Sequence, residues 1–315
     1  MRMLDLETLD EYRAAYHDES IWTPVAQEIC LRHGLENDAV ARGPDGTHIV
    51  FFVGDALVLK LFSPLFPDDI EAESLVTPHL AGRLGVRTPA IVGRGVCAGW
   101  RYLLMTRVDG RPAVDLWSEL TRSDQLNVVS DVGRLVGRLR EVSLEGLGAL
   151  EIDWVGFLKR QLGRAHLRET PCGMDLSFSD VESFAGTVEI DRRAGGRRVL
   201  LLADITDEHL LLTKQDGARG LFGLVDFGDA FIGHPDYELV APGLTLARGD
   251  REFLRTLLVS AGYDVDGDAV NLRRRLMLQT LVHRYATLVD AVRTVPDAAG
   301  AASLEELSRR LWPVD

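Results

Sequence analysis

Two aspartates and a histidine sit where this 315-residue chain hands apolar runs over to polar loops. Asp204 and His209 lie five positions apart inside VLLLADITDEHLLL, residues 199–212, and Asp226 belongs to VDFGDAFIG, residues 225–233. Polar groups at the edge of a rigid apolar scaffold are held in fixed geometry. Two carboxylates and an imidazole can bind a cation or carry a proton. Taken singly, each has a plainer reading: Asp204 as the cap of a helix at DEHLLL, His209 as a hydrogen-bonded core histidine, Asp226 as a turn acid before Phe-Gly. A polar hexapeptide between apolar runs is costly to bury unless its groups are satisfied or used. The three together therefore mark a candidate metal-assisted site.

The elements that must position these groups fall into two regions. Residues 6–34 read as helix, LETLDEYRAAY and then TPVAQEICLRHG, with the Thr-Pro pair as a start and Gly34 as a stop. THIVFFVG and ALVLKLF read as a β-hairpin, DDIEAESLVTPHLAGRLG as a helix kinked or ended early by Pro78, and residues 88–108 as two more strands joined by glycines. VDGRP, residues 108–112, is a turn-rich joint. Beyond it the long periodic segments are helical: SDQLNVVSDVGRLVGRLREV, WVGFLKRQLGRAHL, DREFLRTLLVSAG, VNLRRRLMLQTLVHRYATLVDAV and SLEELSRRLW. Two strand-like runs, RRVLLLADITDEHLLLT and GLFGLVDFGD, interrupt them and carry the three candidate groups.

Composition narrows the function. Forty-eight acidic against thirty-five basic residues leave a net charge of −13, which argues against nucleic acid as a partner and leans toward a cationic one. The basic clusters RRAGGRR (192–198) and RRR (273–275) read as solvated charge. Cys30, Cys97 and Cys172 are far apart and form no metal-binding pattern, so reduced thiols are expected. No apolar run reaches membrane length and the start, MRMLDLETLDEY, lacks the features of a secretory signal, so the expected partners exclude a membrane and the expected location is cytoplasmic.

D-x-x-x-x-H followed by V-D-F-G on an α-rich second region, downstream of a small β region carrying VLKLF, resembles the aminoglycoside phosphotransferase family, a branch of the protein-kinase-like fold. Within that family the chain looks most like the hygromycin B phosphotransferases. The resemblance runs from VLKLF through LVDFGDAFIGHPDYELV and RGDREFL to EELSRRLW. It implies an α+β, bilobal, protein-kinase-like fold, with a small antiparallel β-sheet N-lobe carrying a helix and a larger α-rich C-lobe. The implied divisions are a nucleotide-binding lobe with N-terminal helices at 1–106, a hinge at 107–112, and a catalytic and substrate-binding lobe at 113–315.

The resemblance also implies roles. Lys60 would contact the nucleotide's α and β phosphates, and Glu73 or Glu71 would orient it as an ion-pair partner. The loop GPDGTH, with Gly46 and Thr47, would cover the phosphates, and backbone groups from Met105 to Arg107 would meet the adenine. Asp204 would be the catalytic aspartate at the substrate hydroxyl, and Asp226 would hold magnesium. His209 stands where the family has asparagine as second metal ligand, and Leu202-Ala203-Asp204 replaces the usual H-G-D. Imidazole suits borderline metals better than magnesium, so manganese is a second expectation. Asp229 and the segment from His234 to Glu238 would pack the metal loop onto the helical lobe, with Asp236 or Glu238 capping or bracing it. DVDGD, residues 264–268, reads as an exposed turn, because Arg275 stands where a calcium loop needs glutamate.

What the resemblance implies is an ATP- or GTP-dependent O-phosphotransferase acting on a sugar hydroxyl of an antibiotic, of the hygromycin type or a sugar-bearing nucleoside such as the capuramycin type. The partners would be nucleotide and the small-molecule antibiotic, in a monomer or homodimer. A metabolic small-molecule kinase is one alternative. A catalytically impaired interaction module, motivated by Leu202 and His209, is another.

Overall fold

The computed structural model describes residues 6–165, 177–187, 197–215, 218–285 and 288–314. The chain divides into two compact units. One comprises Met1–Gly82, Arg87–Asp109 and Leu224–Asp229, and the other Arg83–Val86, Gly110–Gly223 and Ala230–Asp315. The segment containing Asp226 thus belongs with the residues around Lys60. Cys172 and the tip of RRAGGRR lie outside the described residues. Among the described residues, no helix is long and apolar enough to cross a membrane.

In the first unit, helices α1 (Leu9–Ala15) and α2 (Glu19–Arg32) precede strands β1 (Val40–Arg42), β2 (Ile49–Val53) and β3 (Leu57–Phe62). Helix α3 (Pro67–Leu80) follows, then β4 (Ile91–Cys97) and β5 (Trp100–Thr106). The strands form one sheet in the order β1-β2-β3-β5-β4, and all its pairings are antiparallel. Its two faces bury different clusters. Leu59, Leu61, Tyr102 and Leu104 join Trp22 and Ile29 of α2, whereas Phe62, Leu103 and Met105 join Ile70 of α3. Strand side chains alternate in direction, so Lys60, between Leu59 and Leu61, is directed to the α3 face.

Helix α2 starts at Glu19, four residues before the expected Thr-Pro pair. The Asp18 carboxylate accepts the Ser20 N–H as the cap, and Pro24 lies inside the helix. Burial of Trp22, whose indole N–H donates to the Ala15 carbonyl at 2.7 Å, offsets the ladder bond that Pro24 removes. Pro78 likewise lies within α3, which ends two residues later.

The second unit opens with β6 (Arg111–Pro112) and the helices α4 (Ala113–Leu116), α5 (Arg122–Leu139), α6 (Trp154–Ala165) and α7 (Phe178–Thr187). Strands β7 (Val199–Leu201), β8 (Leu210–Gln215), β9 (Ala218–Leu224) and β10 (Phe231–Gly233) come next. Helices α8 (Val240–Pro242), α9 (Arg251–Ser260), α10 (Ala269–Val282), α11 (Leu288–Thr294) and α12 (Leu304–Leu311) complete it. β7 pairs antiparallel with β10, and β6, β8 and β9 form a second small sheet. Trp154, Phe157, Phe231 and Tyr237 pack together as the aromatic core behind β7.

Two expectations are corrected here. The long periodic run at 270–292 is two helices, because His283 turns to an extended ψ of 140° and stacks on Tyr237 with ring centroids 4.7 Å apart. The arginines at 273–275 are all paired, with Arg273 buried and Arg274 and Arg275 partly exposed. Arg273 is buried against Glu305, Arg274 also meets Glu305, and Arg275 reaches Asp236 at 2.8 Å.

Candidate active site

The first unit builds a buried charge cluster on the α3 face of its sheet. The Lys60 ammonium donates to the Glu73 carboxylate at 2.7 Å and to the Asp226 carboxylate at 2.8 Å. Helical spacing decides between the two glutamates. Ile70, Glu73 and Thr77 share the buried stripe of α3, while Glu71 points outward and pairs with Arg101 at 2.8 Å. Burial alone would pull the Lys60 ammonium down, but the charges of Asp226 and Glu73 outweigh it and hold it above the usual lysine range. Lys60 therefore stays cationic. The Asp226 side chain is 38% exposed while Lys60 and Glu73 are nearly sealed, so the cluster opens on its Asp226 side.

Asp226 itself has φ +68°, a left-handed conformation that costs a non-glycine residue about 1–2 kcal/mol. Such strain persists only where the surroundings impose it, here through Lys60 and the adjoining Gly228 N–H at 3.4 Å.

The residues expected to meet nucleotide are placed as follows. The Gly46 N–H donates to the Tyr16 hydroxyl at 2.7 Å, and the Thr47 carbonyl accepts from the Tyr12 hydroxyl at 2.8 Å. Tyr12 of α1 and Tyr16, which caps the C-terminus of that helix, thus hold the 43–48 loop. A cavity of about 390 Å³ between them is lined by Tyr12, Tyr16, His17, Thr47 and Phe66. Met105 is buried in β5, the Thr106 N–H donates to the Ala90 carbonyl, and the Arg107 N–H donates to the Ala56 carbonyl at 2.7 Å. Those two N–H donors are taken within the unit, and the Arg107 guanidinium lies over the Phe52 ring at 4.3 Å.

In the second unit, β7 ends at Leu201 and β8 begins at Leu210, leaving 202–209 as a tight loop. The apolar tail of DEHLLL is a strand, so Asp204 caps no helix there. Its carbonyl accepts the Thr206 N–H at 2.9 Å and the His209 Nδ1–H at 2.9 Å. That bond fixes the neutral ring's tautomer, since a carbonyl can only accept, and it leaves Nε2 as the lone-pair atom. The Asp204 carboxylate lies 3.4 Å from Nδ1, on the same side of the ring.

The loop is braced from below. Buried Glu238 accepts the Leu202 N–H at 2.7 Å and the Ala203 N–H at 3.1 Å, one on each carboxyl oxygen. Burial pushes its carboxyl up to about 8; the two N–H bonds pull down and the Asp204 charge pushes further up. Ala203 has φ +66°, the second strained non-glycine residue at these loops. Glu238 thus braces the 202–209 loop, not the Asp226 loop for which a brace was expected. Asp236 accepts from Tyr263 and Arg275, and the His234 ring caps the following turn. Buried Asp207 ties the loop to Arg248 at 2.7 Å, a contact no sequence signal marked. Residues 264–268 form an exposed turn in which Asp264 accepts from Asp266 and Gly267, and Asp268 caps α10.

Among the described residues, no three His, Cys, Asp or Glu groups converge to hold a metal ion. Each unit carries a side chain whose chemistry suits a cation. The Asp226 carboxylate, the open side of its cluster, is the oxygen ligand a hard divalent cation needs. The His209 Nε2 is a nitrogen donor better suited to a borderline metal.

A family model described as the phosphotransferase enzyme family, APH, matches residues 31–273. The chain is also similar to solved structures. One is the GDP complex of wild-type aminoglycoside 2'-phosphotransferase-IIIa, at 16% identity over 93% of this chain and 99% of that one, with TM-score 0.69. A second is aminoglycoside phosphotransferase APH(3'')-Id from Streptomyces rimosus, at 18% identity over 84% and 99%, with TM-score 0.59. A third is macrolide 2'-phosphotransferase MphH from Brachybacterium faecium, at 17% identity over 91% and 97%, with TM-score 0.58. At these identities the likeness is one of fold, the α+β protein-kinase-like architecture.

Proposed function

Since the chain belongs to the phosphotransferase enzyme family, we propose that it is an ATP- or GTP-dependent O-phosphotransferase that moves the γ-phosphate to a sugar hydroxyl of an antibiotic. The observation that carries this reading is Lys60, buried, cationic and bridging Glu73 and Asp226 at 2.7 and 2.8 Å. A lysine fixed by a helix glutamate beside a strained, partly open aspartate is arranged to meet a metal-bound polyphosphate.

In this reading Lys60 binds the nucleotide's phosphates and Glu73 keeps its ammonium in place. Asp204, on its braced loop, accepts or orients the proton of the acceptor hydroxyl. Asp226, with His209 as a further donor, would hold magnesium or manganese, and such an ion neutralises phosphate charge when bound. Gly46 and Thr47 cover the phosphates, and backbone carbonyls from Met105 to Arg107 meet the base, since the Thr106 and Arg107 N–H groups already donate elsewhere. The Glu238 brace supports activity over the impaired-module alternative, because the loop is held at Leu202 and Ala203 without the usual histidine.

The acceptor classes favoured are hygromycin-type aminocyclitols, aminoglycosides and sugar-bearing nucleoside antibiotics, with the net charge of −13 leaning toward a cationic one. Phosphorylation adds about −1.5 to −2 charges at the modified hydroxyl, which explains how it would confer resistance. The test is a panel of these antibiotics and small metabolic alcohols, incubated with ATP or GTP and either metal and read by mass spectrometry. Phosphate gained by an antibiotic supports the reading. Turnover of a metabolite alone, with every antibiotic inert, would replace it with a metabolic kinase.

A further inference from the structure

His48 is the first residue beyond the Gly46-Thr47 tip, and it is only 5% exposed. It stands next to β2 and two residues before Val50, the register partner of Lys60. Its ring is wedged against Phe62, with centroids 4.6 Å apart, and against Phe66. Both nitrogens are used. Nδ1 accepts the Ser63 N–H at 3.3 Å, so the neutral ring carries its proton on Nε2 and donates it to the Asp69 carboxylate at 2.9 Å. The tautomer follows from the network.

Asp69 lies in the first turn of α3, one turn before Glu73, so a single helix face presents one carboxylate to His48 and the next to Lys60. Asp69 also abuts the segment that carries Asp226. A Cβ added at Gly228 would lie 3.4 Å from the Asp69 Cβ and 3.6 Å from the Asp226 Oδ1. The loop is held on its other side by α1 and its C-cap, through Tyr12 at Thr47 and Tyr16 at Gly46 and at the His48 carbonyl.

We infer that His48, through its hydrogen bond to Asp69, is a positioning residue for the nucleotide's phosphates. It fixes the 43–48 loop to the helix that orients Lys60. The inference rests on the phosphotransferase reading above and adds that the loop is a fixed strap, set by α3, whose placement governs nucleotide affinity and transfer.

The test uses the full chain with magnesium-nucleotide, measuring affinity by calorimetry and transfer kinetics on an acceptor that the unmodified protein phosphorylates. His48→Phe keeps the ring volume and removes both nitrogens. It is expected to weaken nucleotide binding and lower kcat, each by about tenfold, with the acceptor KM unchanged. His48→Gln, whose amide N–H replaces that of Nε2, is expected to recover most of the loss. Asp69→Ala should match His48→Phe, the double variant should be no worse than either single one, and Asp69→Ala alone suffices if His48→Phe does not fold. Unchanged nucleotide affinity and kcat in His48→Phe or Asp69→Ala, with only the melting temperature lowered, would overturn the inference and leave the functional reading intact. A parent protein that binds neither nucleotide would sink both.

Discussion

The Glu238 brace gives a prediction with a definite sign. In the folded protein its carboxyl is raised from an ordinary 4.5 to about 8, chiefly by burial. Once unfolded, it ionises from about pH 4.5 upward, whereas the folded protein keeps the proton until about pH 8. The unfolded state therefore binds fewer protons across that window, and stability falls as pH rises through it. At about 1.4 kcal/mol per pH unit, the contribution lost between pH 5 and pH 9 is on the order of 4 kcal/mol. Glu238→Gln cannot titrate, so its stability relative to the parent should rise by about that amount over the same range. At acidic pH it should start lower by about 1–3 kcal/mol, because the amide turns an NH₂ toward one of the two backbone donors at Leu202 and Ala203. Urea unfolding of both proteins at pH 5, 7 and 9 measures the difference directly. Parallel curves for parent and variant would show that Glu238 is not held protonated by burial, and the account of the brace would be wrong.

Other predictions concern single contacts. Glu73→Ala leaves a buried lysine with one partner fewer and should cost about 3–5 kcal/mol and most of the transfer rate, whereas Glu71→Ala, at an exposed pair, should cost under about 1 kcal/mol. Comparable losses in urea unfolding for the two would contradict the pairing. His209→Asn should shift the ratio of magnesium- to manganese-supported activity toward magnesium several-fold, by roughly the preference of a hard ion for oxygen; an unchanged ratio would remove His209 from the ligand set. Gly133→Ala places a Cβ 2.5 Å from the Leu257 carbonyl and 2.6 Å from the Ser260 Cβ, where α5 and α9 touch. It should destabilise by about 1–3 kcal/mol without altering nucleotide affinity.

What the sequence made legible is what local periodicity controls. Alternation in VLKLF sets Lys60 against the apolar run, and the strand face it takes follows directly from Leu59 and Leu61. The helix that opposes it was equally readable, but the partner was not, because Glu71 and Glu73 differ only in which side of α3 meets the sheet. Tertiary contacts account for the misreadings. The start of α2 follows the Asp18 cap and buried Trp22, not the local Thr-Pro signal. The break after Val282 follows stacking of His283 on Tyr237, which lies far away in the chain. Arg273 and Arg275 look solvated until Glu305 and Asp236 are brought to them. At the candidate site, the substitution of Ala203 for the expected glycine was visible, but its positive φ and the Glu238 carboxyl beneath it were not. His48 carried no signal, since a single histidine before a strand has nothing in its spacing that points to Asp69.

The most direct test of the central claim follows γ-labelled nucleotide in the parent protein and in Asp204→Asn, with an acceptor antibiotic from the panel. The account predicts label transferred to the antibiotic by the parent. It predicts a fall of about 10²–10⁴-fold in the variant, with nucleotide affinity unchanged because Lys60, Glu73 and Asp226 are untouched. Transfer at the parent rate in Asp204→Asn would contradict it.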